Sequence, residues 1–270
     1  MEVHFKYMKI IVCIKQVPNT NKVEIDPKTG TLNREGVTSI INPDDLHAIE
    51  EALRIKEKKE NVEVTVLTMG PPQADTALRE ALALGVDEAI HLTDRSFAGS
   101  DTWATATILA AAIRKIGDYD IIFCGREAID GDTAQVGPEL AEFLDIPQVT
   151  YVKEVDFEGE EIKVKRAFET GTFVVKSKMP VLLTVIEELN EPRFMDMRLI
   201  YEAYSDQANF KVWDAEYIEV DQSQIGIKNS PTRVYRSFVP KVEFDGQQIS
   251  GAPKEVANKA IEEFKKLNII

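Results

Sequence analysis

Between Gly125 and Pro138 the chain reads Gly-Arg-Glu-Ala-Ile-Asp-Gly-Asp-Thr-Ala-Gln-Val-Gly-Pro, after an apolar run and before a helical pattern. Such a turn presents backbone N–H groups, the Thr133 hydroxyl and a helix N-terminus, which together can cradle a phosphate. Arg126 is the single basic residue among four acidic ones from Gly125 to Glu139, so backbone and Thr133 would have to carry the anion. The competing reading is a capped helix behind a tight glycine turn. A second segment, Phe97-Ala98-Gly99-Ser100-Asp101-Thr102-Trp103-Ala104-Thr105, has the same strand-to-helix character. Ser100, Thr102 and Thr105 could reach phosphate oxygens, or Ser100 or Asp101 could simply cap the helix. A third, Met69-Gly70-Pro71-Pro72, is a rigid turn poor in side chains, through which a flat ring could approach the backbone. Neither a P-loop nor a Gly-x-Gly-x-x-Gly fingerprint occurs. Cys13 and Cys124 each lie in an apolar run and read as buried small hydrophobes. His4, His47 and His91 are scattered, so the chain offers no metal-ligand spacing and no Cys/His nucleophile pair.

These segments need strands and helices to position them. Lys9–Ile14, Val62–Leu67, Ala89–Leu92 and Asp120–Cys124 read as buried strands. Helices are expected from Pro43, with Asn42 as N-cap, over Ala74–Leu84 ended by Gly85, from Ser100 or Asp101 to about Lys115, and over Thr133–Leu144. Strands alternating with crossover helices imply a doubly wound, mostly parallel α/β sheet of the adenine-nucleotide-binding type. Thr150–Asp156, Ile162–Ala167, Thr172–Lys176 and Val181–Ile186 are expected to extend it in an antiparallel sense. From Glu187 to Asp221 no period holds, which reads as an extended arm, and Pro253–Leu267 as an amphipathic C-terminal helix. The organisation is therefore an N-terminal extension (1–7), a nucleotide-binding domain (8–190), an arm (191–221) and a C-terminal segment (222–270).

The 270 residues carry 46 acidic and 32 basic side chains, a formal charge of −14, with 44% hydrophobic residues. That balance builds a sizeable core but argues against a nucleic-acid or anionic-membrane surface. No apolar run approaches the roughly 20 residues of a membrane span. The start is too short and polar for a secretory signal, and the reduced cysteines suit a cytoplasmic protein.

From Met8 to about Leu267 the sequence resembles the β subunit of electron transfer flavoproteins. The resemblance rests on Val12-Cys13-Ile14-Lys15-Gln16-Val17-Pro18, Asn42-Pro43, Thr68-Met69-Gly70-Pro71, the Gly125–Pro138 stretch, and Val164-Lys165-Arg166 through Pro180-Val181-Leu182-Leu183-Thr184. It implies an obligate heterodimer with an α subunit that carries its own FAD. The β subunit would hold either a structural AMP or, in electron-bifurcating members, a second FAD whose AMP half fills the same pocket. Carried over by motif, Cys13, Asn42, Asp45, Met69, Gly70, Gly125, Arg126, Ala128, Ile129, Asp130, Gly131, Asp132, Thr133, Ala134, Gln135, Val136 and Gly137 would line that pocket. Asp101, Thr102 and Thr105 would meet the pyrophosphate or ribityl of an FAD. Small residues across Asp130–Gln135 resemble the bifurcating branch, and Ser230, Pro231 and Thr232 match a motif found near that branch's NAD(H) site. The implied activity is exchange of hydride between NAD(H) and the β-subunit FAD, with electrons parted between ferredoxin and, through the α-subunit FAD, a partner flavin dehydrogenase.

The family's partner-recognition loop falls at Pro192 to about Asp206, and Met195, Met197, Leu199 and Ile200 there could anchor in a partner or tuck into the α subunit. Many members carry a Lys-rich stretch at this point, and its replacement makes a lactate-type dehydrogenase a candidate beside an acyl-CoA type. The alternatives are a housekeeping carrier holding AMP and, from another class, a nucleotide-hydrolysing or nucleotide-sensing α/β protein. Residues 187–221 hold 10 acidic and 3 basic groups, half of the chain's net charge on 35 residues. An acidic recognition arm calls for a basic face on its partner. Electron transfer to the native dehydrogenase should therefore slow as salt rises, and equal rates at low and high salt would refute the assignment.

Overall fold

The computed structural model describes residues 7–19, 38–235 and 246–270. They fall into two units, 7–19 with 38–235 and, separately, 246–270. Residues 1–6 of the expected extension, and 20–37 and 236–245 of the expected domains, lie outside the described residues. The first unit opens with β1 (Met8–Cys13), β2 (Gln16–Pro18), β3 (Ser39–Ile41), α1 (Pro43–Lys58), β4 (Val62–Met69), α2 (Asp75–Leu84) and β5 (Glu88–Leu92). It continues with α3 (Thr102–Ile116), β6 (Ile121–Gly125), α4 (Val136–Leu144), β7 (Gln148–Glu158), β8 (Glu161–Phe168), β9 (Gly171–Lys178) and β10 (Val181–Val185). It closes with α5 (Met197–Ala203), β11 (Phe210–Trp213) and the single turn α6 (Gly226–Asn229); the second unit carries α7 (Pro253–Lys266).

Nine strands form one sheet in the order β11-β5-β4-β1-β6-β10-β7-β8-β9, among the described residues. All neighbours from β11 to β7 are parallel, and β8 and β9 add antiparallel hairpins. Strand periodicity divides the core in two. Ile10, Val12, Val64, Val66, Ile121 and Phe123 pack on one face with residues of α1 and α2. Ile11, Leu67, Ile90 and Ile122 pack on the other with residues of α3 and α4. The expected doubly wound α/β class is the observed one.

Four local expectations are corrected. Asn42 stands at the N-cap of α1 ahead of Pro43, as expected, but its side chain makes no capping bond and reaches across the fold instead. Helix α4 begins at Val136 rather than Thr133, because Asp132 and Ala134 adopt left-handed backbone with φ of 47° and 51°. Strand β10 is parallel, inserted between β6 and β7, as its wholly buried Val-Leu-Leu-Thr-Val run suits a strand covered on both faces. The stretch 187–221 is not irregular throughout: α5 packs by α2, and β11 pairs in parallel with β5, Trp213 opposite Leu92. A four-residue edge strand and a two-turn helix are too short to impose a period on the sequence.

At Gly137 α4 lies close against the sheet, where an added Cβ would come within 2.5 Å of Thr184 Cγ2 on β10. Helix propensity alone would make Gly137→Ala stabilising by about 1 kcal/mol. Overpacking should reverse that sign, lowering stability by about 1–3 kcal/mol in a denaturant titration. A variant as stable as the parent would refute this contact.

Candidate functional site

The carboxyl ends of the parallel strands hold the site, and two buried side chains beside α1 organise it. Asn42, fully buried, donates from Nδ2 to the Glu127 carbonyl at 2.9 Å and accepts at Oδ1 from the Ile129 N–H at 3.1 Å. Asp45, 6% exposed, accepts from the Lys15 N–H at 2.7 Å and the Gly125 N–H at 3.0 Å. The segment after β1 and the loop after β6 are thereby joined to one helix terminus. A side chain at 125 would overlap the Asp45 carboxylate and come within 2.8 Å of Asp44 Cβ, which is why glycine stands there. Lys15 Nζ meets Asp130 Oδ1 at 2.6 Å across the same gap. Arg126 turns back onto Glu127 at 2.6 Å and Asp44 at 3.5 Å. The Ala128 carbonyl accepts from the N–H groups of Gly131 and Asp132, closing the tip of the loop.

Beside this loop lies a cleft of about 960 Å³. Its wall runs from Lys15–Pro18 and Asp130, past Met69–Ala74, to Thr93–Ser100 with the exception of Ser96. Of the sequence-predicted ligands, Met69, Gly70, Ser100 and Asp130 line it. Cys13, Asn42 and Asp45 are buried and support it, while Gly131, Asp132, Thr133 and Gln135 are exposed along the loop beyond Asp130. Ala134 and Val136 are half-buried, and Gly137 packs on Thr184. The neutral His91 ring, its pKa lowered by burial, contacts the Gly70 carbonyl through Nε2 at 3.1 Å and steadies the Met69–Pro71 turn.

Asp101, Thr102 and Thr105 open α3, which follows β5 and packs on the other face of the sheet from α1. Asp101 caps the helix through the Ala104 N–H at 3.0 Å, and its other oxygen accepts from the N–H and hydroxyl of Thr232, both at 2.8 Å. Ser230 Oγ accepts from the Asp101 N–H at 3.0 Å, with Pro231 exposed between the two. The Ser-Pro-Thr segment thus docks on the α3 cap, and Asp101 has both oxygens engaged. Thr102 Oγ1 faces Glu139 Oε1 at 3.2 Å on α4, and the Thr105 N–H donates into the first helical turn.

The arm leaves the core through a second polar anchor. Asn190 donates to the His47 carbonyl and to Glu51, and Arg193 pairs with Glu50 at 2.8 Å and Glu57 at 2.6 Å, all on α1. Burial pushes Glu50 upward, but Arg193 and Arg54 outweigh it and hold the carboxyl below its ordinary range. Leu199 and Ile200 turn inward: Ile200 packs against the core, and Leu199 lies beside Gly85. Met195 and Met197 face solvent, together with Phe194, Tyr201 and Tyr204, which the sequence pattern did not single out. A helix of seven residues shows two faces, and only packing tells which is which.

Sequence reasoning also missed Thr93, Asp94 and Arg95. Asp94 accepts from the N–H and hydroxyl of Ser96, so the Asp-x-Ser spacing after a strand was the readable signal of a fixed turn. Cys13 and Cys124 meet in register on β1 and β6; hydrogen bonding to Cys13, together with burial, pushes the Cys124 thiol well above the ordinary range. No cluster of three or more His, Cys, Asp or Glu that could hold a metal occurs among the described residues. None of their helices is long and apolar enough to cross a membrane.

Burial pushes Asp45 from 3.8 to about 7, while the N–H groups of Lys15 and Gly125 and the Asn42 side chain restrain the rise. Between these values the folded chain holds a proton that the unfolded chain has released. The contribution to stability is therefore fully present below pH 3.8 and lost as pH rises through about 7. Asp45→Asn should remove from the pH dependence of urea unfolding a slope of up to ~1.4 kcal/mol per pH unit in that window. Parallel wild-type and variant profiles would exclude Asp45 as the titrating group.

The geometry can be compared with known proteins. The family described as the electron transfer flavoprotein domain matches residues 29–216. Electron transfer flavoprotein subunit beta of Thermoanaerobacterium thermosaccharolyticum is 54% identical, covering 97% of this chain and all of the relative. The caffeyl-CoA reductase-Etf complex subunit CarD of Acetobacterium woodii is 48% identical, again over 97% of this chain and all of its own length. The acryloyl-CoA reductase electron transfer subunit gamma of Anaerotignum propionicum is 44% identical over the same shares.

Proposed function

The chain belongs to the electron transfer flavoprotein family as a β subunit, and on that premise we propose that it binds FAD and exchanges electrons with NAD(H). One observation carries FAD over AMP. The cleft of about 960 Å³ extends from the stapled loop across to Thr93–Ser100, at the upper end of the roughly 300–1,000 Å³ typical of small-molecule sites. An AMP-holding subunit is the competing reading, favoured by the placement of Asp132–Gln135 outside the cleft wall. Membership replaces the hydrolysing and sensing alternatives.

The residues present suit a flavin nucleotide. Backbone N–H groups over Thr133–Gln135 and the exposed Thr133 hydroxyl would take phosphate, and the open space around Gly131, whose own N–H is turned to Ala128, admits it. Lys15 would place a cation near the ring end, and the Met69–Pro71 turn, narrow because Gly70 lies against Ala74, would let a flat ring approach the backbone. When bound, the flavin would supply two-electron exchange with NAD(H) and one-electron delivery onward. The protein's share is to fix the loop and exclude water; no side chain need act as acid or nucleophile.

The partners proposed are an obligate α subunit with its own FAD, ferredoxin, and a flavin dehydrogenase, all cytoplasmic. Two relatives are named for CoA reductases, which favours an acyl-CoA type over a lactate type. The exposed Phe194, Met195, Met197, Tyr201 and Tyr204 would meet that dehydrogenase, and Leu199 and Ile200 would seat the arm; the salt dependence of electron transfer tests this surface. The C-terminal segment with its amphipathic α7 would pack on the α subunit. Purified with its α subunit, the protein should carry two FAD per heterodimer and bleach with NADH; one FAD plus AMP would refute the reading.

A further inference from the structure

Four charged side chains line the cleft, and three are engaged within the fold. Lys15 pairs with Asp130 at 2.6 Å, and Asp94 accepts from Ser96 and from the Ala215 N–H. Arg95 is the fourth. It is exposed on the cleft wall, and no hydrogen bond or ion pair joins its guanidinium to another described residue. The turn that displays it is nevertheless fixed. Asp94 caps Arg95–Phe97 through the Ser96 N–H, and Phe97 is buried in the core beneath.

Its position follows from the sheet. Arg95 leaves the end of β5, three strand spacings from β6, which is about 14 Å at ~4.8 Å per spacing. It therefore faces the cleft from the side opposite the Gly131–Gln135 loop, to which the resident cofactor's phosphate is assigned. A chain of charge −14 repels a soluble dianion unless a local cation receives it. A guanidinium is suited to that task, because its fork pairs two N–H groups with phosphate oxygens. Its exposure suits a ligand that arrives and leaves rather than one that stays.

We propose that Arg95 recognises the pyrophosphate of the nicotinamide dinucleotide and so defines the substrate end of the cleft. This rests on the FAD- and NAD(H)-binding reading of the same cleft. The test uses the flavin-loaded heterodimer with Arg95→Gln and Arg95→Lys. Three quantities are read: flavin content, NAD+ affinity by calorimetry at two salt concentrations, and the NADH dependence of flavin bleaching. Arg95→Gln should weaken NAD+ and NADH by about tenfold or more, the value of a lost charge-assisted contact. Flavin content should not change, the limiting bleaching rate should stay within about twofold, and the salt dependence of binding should flatten. Arg95→Lys should recover part of the affinity. A bleachable wild type whose Arg95→Gln variant binds NADH equally well overturns the assignment alone. Loss of flavin from Arg95→Gln also overturns it, by placing the guanidinium on the resident cofactor. A wild type that neither bleaches with NADH nor binds NAD+ overturns the assignment together with the reading beneath it.

Discussion

A carboxylate and an amide, both sealed from solvent at the start of α1, hold the ends of β1 and β6 in one arrangement. Each bond joins a side chain to backbone: Asp45 to Lys15 and Gly125, Asn42 to Glu127 and Ile129. Removing either side chain would leave buried N–H or C=O groups without partners, at about 1–3 kcal/mol each. That cost makes the arrangement all-or-none. It also fixes the first end of the loop at Gly125, Glu127 and Ile129, ahead of the left-handed backbone at Asp132 and Ala134. Asn42 and Asp45 thus act on the loop after β6 through its backbone.

The same helix serves a second purpose on its flank. His47, Glu50, Glu51 and Glu57 receive Asn190 and Arg193, so the arm departs from α1 as well. The loop after β6 and the arm are both fixed to one sixteen-residue helix that packs on the central strands. A rigid common support keeps the distance between the two constant. Outward Met197 and Tyr201, 85% and 80% exposed, are carried on a helix whose other face is anchored by Ile200 and Ala203.

Much of this architecture was legible in the chain itself. Apolar runs of β-branched residues marked the parallel strands, Gly85 ended α2 in left-handed backbone, and the Gly125–Pro138 stretch stood out as a loop between strand and helix. These signals are local, since a strand's period or a helix's cap involves residues within a few positions of each other. The family resemblance reached further, drawing attention to Asn42 and Asp45, which the fold buries beside the loop after β6.

Pairings between residues far apart in the chain were decided by tertiary structure. The sequence announces an Asn before a Pro, but only packing turns that amide from a cap on α1 to a bond 87 positions away at Ile129. Cys13 and Cys124 read as two isolated hydrophobes and become neighbours because β1 and β6 align. Phe210–Trp213 becomes a strand because β5 offers it an edge, and Leu199 turns inward because α2 lies beside it. The physical reason is common to all four. Local periodicity is written in neighbouring residues, whereas register, facing and the partners of buried polar groups depend on which surfaces meet when the core closes.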